Sequence, residues 1–574
     1  MQQDFSNPIR RKRRFLPEDF KMTHWASLQP FYDQLLQRNL NTVADVKQWF
    51  IDRSELEGAI AEDAGWRYIN MTCDTASEAY RKHYETYIKD ILPNTIAYAQ
   101  QLNTKVVECP HTAALEQETG FALLLRCLRD SISLYRAENV PLITQLKLRE
   151  REYAAITGAM TVTMEDDEMT LQQAARYFEG QNRKLRELAF LRIYSRRRQA
   201  EHTLNELYTD LVQARDQIAR NADFPNFRDF TFVTHKRFDY TPQDCFDFHQ
   251  GVEETVIPCL TEMAQEKKQL LGVEVLRPWD HDVDPGHQLP LQPFSDAEDL
   301  LQKTITVFDR LDVSLGNCLR TMQARGHFDL DSRKDKAPGG YNFPLRESGA
   351  PFIFMNQARR FKDMTTLLHE GGHALHAMLM HDVLLNDFKE ITSEMAELAS
   401  MSMELITMDH WDVFFDDPVA FNRAKKKQLE DVIRKLAWIA AIDQFQHWVY
   451  ENPYHTPSQR NDVWYSIMSR FSDQVTEWGE DNYIRFFVWQ QQLHLFEVPF
   501  YYIEYGIAQL GAIALWRNYQ QSPKQVLQDY LKALKLGYTH SLPEMYKAAG
   551  IKLDFSRDYI RELVHFAYEQ WQAL

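Results

Sequence analysis

Closely spaced cysteines and long apolar runs are both missing from this 574-residue chain. Its six cysteines are dispersed and never form a Cys-x-x-Cys pair, so the sequence predicts neither a disulfide framework nor a thiolate zinc site. No uncharged apolar stretch reaches the roughly 18 residues typical of a membrane-spanning helix. No apolar signal segment follows Met1. We therefore expect a protein that is neither membrane-bound nor exported, with the reducing cytoplasm as its location.

Basic residues are also fewer than acidic residues. The chain has 65 lysine and arginine residues against 82 aspartate and glutamate residues, which gives a net charge of −17. Nucleic acids and anionic membranes bind basic surfaces. The sequence thus predicts no nucleic-acid partner and no membrane partner, and it carries no signal for an oligomeric state.

Helical periodicity dominates the sequence and predicts a mainly α protein. One clear example is a row of apolar residues at offsets of three and four: Leu204, Leu207, Leu211, Ala214 and Ile218. Because the chain is longer than one compact core usually organises, we expect two domains. The predicted division is an N-terminal helical lobe at 1–200 and a second, catalytic domain at 201–574.

The motif that is most informative about function is His369-Glu370-Gly371-Gly372-His373. Two histidines four residues apart on a helix face the same side and can hold one metal ion, which is the HExxH zinc motif. Apolar residues on both sides predict a buried helix. Each glycine costs a helix interior about 1 kcal/mol relative to alanine, so we expect a glycine here to let another backbone, such as a bound peptide, come close. A core helix without metal is the alternative.

Catalytic zinc usually has a third protein ligand, and a second helical pattern at about 388–408 offers several. Four glutamates are spaced to share one face of that predicted helix: Glu390, Glu394, Glu397 and Glu404. Apolar residues surround the last two, which are therefore predicted to be buried and to need partners. Spacing alone does not choose the ligand.

These two motifs together resemble those of the M3 family of zinc metallopeptidases, which contains thimet oligopeptidase and oligoendopeptidase F. The residues that carry the resemblance are His369-Glu370-Gly371-Gly372-His373-Ala374-Leu375-His376 and Glu397-Leu398-Ala399-Ser400-Met401-Ser402-Met403-Glu404. The resemblance implies one Zn²⁺ per chain, bound by His369, His373 and Glu397. It implies that Glu404 orients a ligand histidine. Glu394 remains the second choice for the third metal ligand. His376 is expected either to support the metal ligands or to be packed, rather than to bind metal.

A segment near the C-terminus extends the resemblance, most of all to the oligoendopeptidase F branch. In Trp489–Gly506 the family places a substrate-binding histidine and tyrosines, which the resemblance assigns to His494 and Tyr505, with Tyr502 close behind. Such side chains can donate hydrogen bonds to the oxyanion of a tetrahedral intermediate. Tyr501 is the remaining candidate, and core packing explains it equally well.

Short β-structure is expected in two places. Met160–Met164 alternates before an acidic turn and predicts a hairpin with the residues after it. A turn-rich stretch at 338–344 and an apolar run at 349–356 predict a small sheet beside the zinc-binding helices. A peptide could add to its edge as a strand, although a purely structural hairpin is as good an interpretation.

The family resemblance implies two helical lobes flanking a deep substrate channel. The expected reaction is hydrolysis of internal bonds in short unstructured peptides by a zinc-activated water, with Glu370 as general base. Three alternatives stay open: a metallocarboxypeptidase or dipeptidyl carboxypeptidase with the same motif, a non-catalytic peptide-binding protein, and a helical scaffold without metal.

Overall fold

Helices dominate the computed structural model, which describes residues 12–574 except His287, Lys334 and Pro338. In chain order the first helices are α1 (Trp25–Gln37), α2 (Val43–Cys73), α3 (Glu78–Thr86), α4 (Leu92–Glu108), α5 (Phe121–Leu134), α6 (Asn139–Gly158), α7 (Leu171–Ala174), α8 (Arg183–Gln199), α9 (Glu201–Asn221), α10 (Phe227–Thr234) and α11 (Pro242–Leu270). They are followed by α12 (Ala297–Leu311), α13 (Val313–Ala324), α14 (Phe361–Leu379), α15 (Ser393–Ile406), α16 (Pro418–Glu451), α17 (Pro457–Arg470), α18 (Leu493–Glu497), α19 (Tyr502–Gln521), α20 (Pro523–Leu534), α21 (Leu542–Ala548) and α22 (Arg557–Gln572). The predicted mainly α fold is confirmed.

The chain folds into two compact units, each assembled from segments that are distant in sequence. Unit 1 consists of Met1–Tyr135, Gln292–Phe421 and Gly511–Leu553. Unit 2 consists of Arg136–Leu291, Asn422–Leu510 and Asp554–Leu574. The domains predicted from sequence, 1–200 and 201–574, follow chain order and stay a prediction.

Unit 1 contains a three-stranded sheet of β3 (Phe328–Asp331), β4 (Tyr341–Phe343) and β5 (Phe352–Gln357). The strand order is β3-β5-β4, with β3 parallel and β4 antiparallel to the central β5. Both β4 and β5 pack against α14. The predicted small sheet beside the motif helix is confirmed, except that Pro338 of the predicted stretch lies outside the described residues.

Helix α14 begins directly after β5 because Asp363 caps its first turn. The Asp363 carboxylate accepts hydrogen bonds from the backbone N–H groups of Ala358, at 2.7 Å, and Arg360, at 2.9 Å. These N–H groups at a helix start lack partners within the helix. The cap therefore helps to fix where the helix starts.

The two motif glycines allow α14 to pack tightly against its neighbours in unit 1. A Cβ atom on Gly372 would lie 2.6 Å from the carbonyl oxygen of Ala399 and 2.7 Å from Cα of Ser400, both on α15. A Cβ atom on Gly371 would lie 2.7 Å from the ring of Phe308. A backbone does approach the motif as predicted, but it belongs to α15, so the suggestion that the space serves a bound peptide is corrected.

Unit 2 contains the predicted hairpin, formed by β1 (Thr161–Met164) and β2 (Asp167–Thr170). The strands are antiparallel, with Thr161 opposite Thr170. Glu165 and Asp166 connect them with φ values of 50° and 72°, as a two-residue turn with left-handed backbone requires. The hairpin prediction is confirmed.

The structure can be searched for the two features that the sequence does not predict, membrane-spanning helices and disulfides. Over the described ranges, no helix combines the length and the hydropathy needed to cross a membrane. No disulfide joins any of the six cysteines, all of which lie in the part of the chain that the structure describes.

Candidate active site

Helices α14 and α15 bring three potential metal ligands together in unit 1. His369 and His373 lie one turn apart on α14, and Glu397 lies on α15. Oε2 of Glu397 is 3.3 Å from Nε2 of His369 and 3.7 Å from Nε2 of His373. The three donor atoms all lie within 4.8 Å of one another.

These spacings fit a divalent metal ion. Zinc binds histidine nitrogen and carboxylate oxygen at about 2.0–2.2 Å, so neighbouring ligand atoms of a tetrahedral site are about 3.3–3.6 Å apart. The two measured separations, 3.3 and 3.7 Å, fall at or near that range. Two imidazoles and one carboxylate also leave the fourth position of such a site to water or substrate, as catalytic zinc sites do.

Two further side chains of α15 fix the orientation of these donors. Oε1 of Glu404 lies 2.7 Å from Nδ1 of His369, an arrangement in which a carboxylate typically orients a ligand histidine. Oγ of Ser400 donates a hydrogen bond of 3.1 Å to Oε2 of Glu397. Ser400 lies inside the second motif, but sequence analysis assigned it no role, although its offset of three from Glu397 places the two on one helix face.

The electrostatics of this cluster favour a cation. Burial by itself lowers the pKa of His369, but the carboxylates of Glu397 and Glu404 outweigh burial and raise it to about 10. Burial lowers the pKa of His373 to about 4, so its imidazole is neutral at pH 7 and has a lone pair to offer. The negative charge that attracts a proton to His369 would also attract a divalent cation.

Glu370 lies beside the donors with one carboxylate oxygen unused. The side chain is buried, and burial raises its pKa to about 7. Its Oε2 has no hydrogen-bond partner within the described residues. Nδ2 of Asn342, on β4, donates a hydrogen bond of 3.3 Å to the backbone carbonyl of Glu370. This bond joins the sheet to the motif at Glu370. A buried carboxylate with an unused oxygen can accept a proton from a molecule brought to the site.

The other candidates near the motif have different surroundings. Glu394 is buried on α15 but is not part of the donor group that the described residues form. The prediction that all four glutamates share one helical face is wrong for Glu390, because α15 begins only at Ser393. Glu390 is exposed and pairs with Nη2 of Arg346 at 2.8 Å. His376 is buried, and burial lowers its pKa to about 3, which suits the packed role expected for it.

The second group of predicted residues lies in unit 2, at the start of α19 and on α18. Nε2 of His494 is 3.3 Å from the hydroxyl of Tyr505. The hydroxyl of Tyr502 donates a hydrogen bond of 2.9 Å to Oε1 of Gln492. Nε2 of Gln492 in turn lies 2.7 Å from Nδ1 of His494. The ring of Tyr501 is 5.7 Å from that of His494, centroid to centroid. The structure thus brings together the histidine and all three tyrosines.

Gln492 is the centre of this network, a role that the sequence did not indicate. Its Oε1 also accepts a hydrogen bond of 3.0 Å from Nε1 of Trp438 on α16. Burial raises the pKa of Tyr502 to about 12, so this phenol stays protonated and able to donate. Trp438 could not have been found from the sequence, because it lies more than fifty residues before the segment that it contacts.

Comparison with known proteins identifies the family. The model described as "Peptidase family M3" matches residues 176–565, and "Peptidase M3 N-terminal domain" matches residues 15–127. Together with the motif geometry of α14 and α15, this shows that the chain belongs to peptidase family M3.

Similar proteins carry oligopeptidase names. The chain is 22% identical over 391 residues to an oligoendopeptidase F homolog of Borreliella burgdorferi, covering 66% of this chain and 63% of that protein. It is 19% identical over 468 residues to oligopeptidase PepF of Bacillus subtilis, covering 79% of this chain and 65% of that protein. The matches therefore span less than two thirds of these curated relatives.

Solved structures share the fold over nearly the whole chain. "PZ peptidase A with inhibitor 2" matches with a TM-score of 0.91 and 25% identity, covering 98% of this chain and 99% of that chain. A putative oligoendopeptidase F matches with a TM-score of 0.90 and 26% identity over the same shares.

Proposed function

We propose that this chain is a zinc-dependent oligoendopeptidase that hydrolyses internal bonds of short, unstructured peptides. The observation that carries the proposal is the convergence of His369, His373 and Glu397, with donor atoms 3.3 and 3.7 Å apart, next to the unused carboxylate oxygen of Glu370. Membership of peptidase family M3 and the oligopeptidase relatives support the same activity.

The residues divide the chemistry between them. When bound, Zn²⁺ would polarise the scissile carbonyl and lower the pKa of water toward about 7. Glu370 would accept the proton of the attacking water at Oε2 and pass it to the leaving amine. Glu404 would hold His369 in the ring orientation and tautomer that leave Nε2 available as a ligand.

We assign the oxyanion-binding role to His494 and Tyr505, with Tyr502, on the strength of the family resemblance. The hydrogen bonds within unit 2 support this assignment, because they hold the imidazole and the phenols in fixed orientations. Donors that are already oriented stabilise a developing negative charge without reorganising.

The sheet supports a mode of peptide binding. Strand β4 stands at one edge of the described sheet, and its Asn342 reaches the backbone of Glu370. A substrate that added to this edge as a strand would be recognised by its main chain, with loose side-chain preference. The net charge of −17 favours neutral or basic peptides. A substrate channel and a cytoplasmic location belong to the same proposal.

Replacing Glu370 by glutamine tests the proposal directly. Glu370→Gln keeps the size of the side chain but cannot accept the proton, so peptide hydrolysis should fall by orders of magnitude while the helical content and zinc content stay unchanged. The assay is cleavage of an internally quenched peptide, with metal analysis of the same samples. Unchanged turnover in this variant would contradict the mechanism.

A further inference from the structure

A second cluster of potential metal ligands lies in unit 2, formed by residues with no part in the chemistry above. Cys245 and His249 are four residues apart on α11, and Asp443 and His447 are four residues apart on α16. Each pair therefore lies on one face of its helix. Cys245 and Asp443 are 0% exposed, and the two histidines are 2% exposed.

The donor atoms of this cluster are close together. The donors of Cys245, Asp443 and His447 all lie within 4.8 Å of one another. Oδ2 of Asp443 is 3.3 Å from Nε2 of His447. Nε2 of His249 lies 2.8 Å from the same carboxylate oxygen, so His249 can hold the carboxylate in place by a hydrogen bond.

Several polar atoms of the cluster are buried without a partner. In the part of the chain that the structure describes, Oδ1 of Asp443, Nδ1 of His249 and both ring nitrogens of His447 make no hydrogen bond. Buried polar atoms in native proteins are nearly always paired, and exceptions call for an explanation such as an ion. Four such atoms in one cluster therefore point to a ligand.

The chemistry of the donors suits a cation. A thiol, an imidazole and a carboxylate converge within 4.8 Å of one another, and a buried carboxylate is costly unless it is paired with a positive charge or binds a metal.

Aromatic rings surround the cluster and would keep the ion dry. The ring centroids of Phe246, Phe500 and Phe232 lie 4.8, 5.3 and 6.2 Å from that of His447. Catalytic metal sites need a position open to substrate, so an ion in a site closed in this way would not be catalytic.

We propose that Cys245, Asp443 and His447 bind a second divalent metal ion of the zinc type, with His249 orienting the Asp443 carboxylate. Thiolate, imidazole and carboxylate are all ligands that Zn²⁺ accepts. The ion would link α11 to α16 inside unit 2. Sequence analysis did not predict this site, because the residues that form it are far apart in the chain: His249 on α11 and Asp443 on α16 are 194 residues apart.

Cobalt binding distinguishes this site from the one on α14 and α15. Co²⁺ bound to a thiolate gives a charge-transfer band in the near ultraviolet, and the donor group of His369, His373 and Glu397 contains no thiolate. We expect the band in the wild-type protein. In a His373→Ala/Glu397→Ala background, where the first site is disabled, about one equivalent of Co²⁺ should remain bound with the same band.

Substitution within the cluster supplies the specific test. Cys245→Ser in that background should lose the band, and His447→Ala should lose the bound equivalent. Cys259→Ser is the matched control, because Cys259 is buried on the same helix but lies outside the cluster, and it should keep both. Circular dichroism checks that each variant folds.

Two results would overturn the proposal. One is the absence of a thiolate band in cobalt-loaded wild-type protein, which needs no variant. The other is a band that survives Cys245→Ser. Neither result depends on peptidase activity, so failure of this proposal is distinguishable from failure of the proposed function.

Discussion

Two glutamates three positions apart on α15 illustrate how single residues differ in their surroundings. Oε2 of Glu397 lies 3.3 Å from Nε2 of His369, whereas Glu394 is buried outside the donor group. Glu397→Ala should therefore lower zinc occupancy more than Glu394→Ala, because it removes a donor from the site itself. Metal analysis of both purified variants against wild type measures the difference. The reverse ranking would show that the third ligand is misassigned.

Sequence reasoning reached some site residues and missed others for a physical reason. His369, Glu370 and His373 were accessible because helix periodicity fixes their relative directions. Glu397 was chosen among four glutamates by family resemblance, since spacing could not separate them. Trp438 was out of reach because its hydrogen bond to Gln492 joins α16 to a segment 54 residues later, and no local pattern encodes such a contact.

At the level of elements, the packing of α14 on α15 depends on Gly372. Its Cβ atom in a Gly372→Ala variant would lie 2.6 Å from a carbonyl oxygen and 2.7 Å from a Cα atom, and backbone atoms cannot move aside cheaply. We expect a loss of about 1–3 kcal/mol in the free energy of unfolding and weaker zinc binding, since Glu397 shifts with α15.

A second glycine provides the control for this variant. In Gly158→Ala, at the end of α6, no atom of the described residues beyond its chain neighbours and the nearby backbone of its own helix lies within 4 Å of the new Cβ, so the change should be neutral or slightly stabilising. Chemical denaturation and zinc titration of both variants supply the comparison. Equal effects of the two substitutions would contradict the role assigned to Gly372.

The start of α8 depends on a buried ion pair that makes stability pH-dependent. Asp280 is fully buried and accepts hydrogen bonds from Arg183, at 2.7 Å, and Arg186, at 2.8 Å. Burial raises the pKa of Asp280, but the two arginines outweigh burial and hold it below its ordinary value. The stabilisation is therefore present above the unfolded pKa of about 3.9 and is lost as pH falls through the folded pKa.

Replacing this carboxylate tests the linkage. Asp280→Asn should destabilise the protein at pH 7 by about 3–5 kcal/mol, because it leaves the guanidinium of Arg186 buried without its counter-charge. The difference in melting temperature from wild type, followed by circular dichroism, should shrink as pH is lowered below about 4. A difference that is constant with pH would show that the loss is one of packing alone.

Sequence analysis predicts helices and strands correctly where the pattern that indicates them lies within the element itself. The hairpin of β1 and β2 and the sheet beside α14 came from alternation and turn residues. The sequence predicts the helix after the zinc motif at about 388–408, but α15 begins at Ser393, because Thr392 has extended backbone with ψ of 151°. The role of the motif glycines could not be derived from the sequence, since it depends on which helix packs against α14.

At the level of the whole molecule, each unit combines segments from several parts of the sequence. Periodicity predicts the helices but carries no information on which distant helices share a core. The mainly α class was therefore predictable, whereas the assignment of segments to units required the structure. The family models divide the chain in yet another way, at 15–127 and 176–565.

The most direct test of the central claim is a time course of products by mass spectrometry. Zinc-loaded wild-type protein is incubated with a mixture of unstructured peptides about 5 to 20 residues long, a range that probes entry to a substrate site, with and without a chelator. The account predicts internal cuts that stop when metal is removed. Stepwise trimming from the C-terminus would point to a metallocarboxypeptidase, and products that are indifferent to metal would contradict the account altogether.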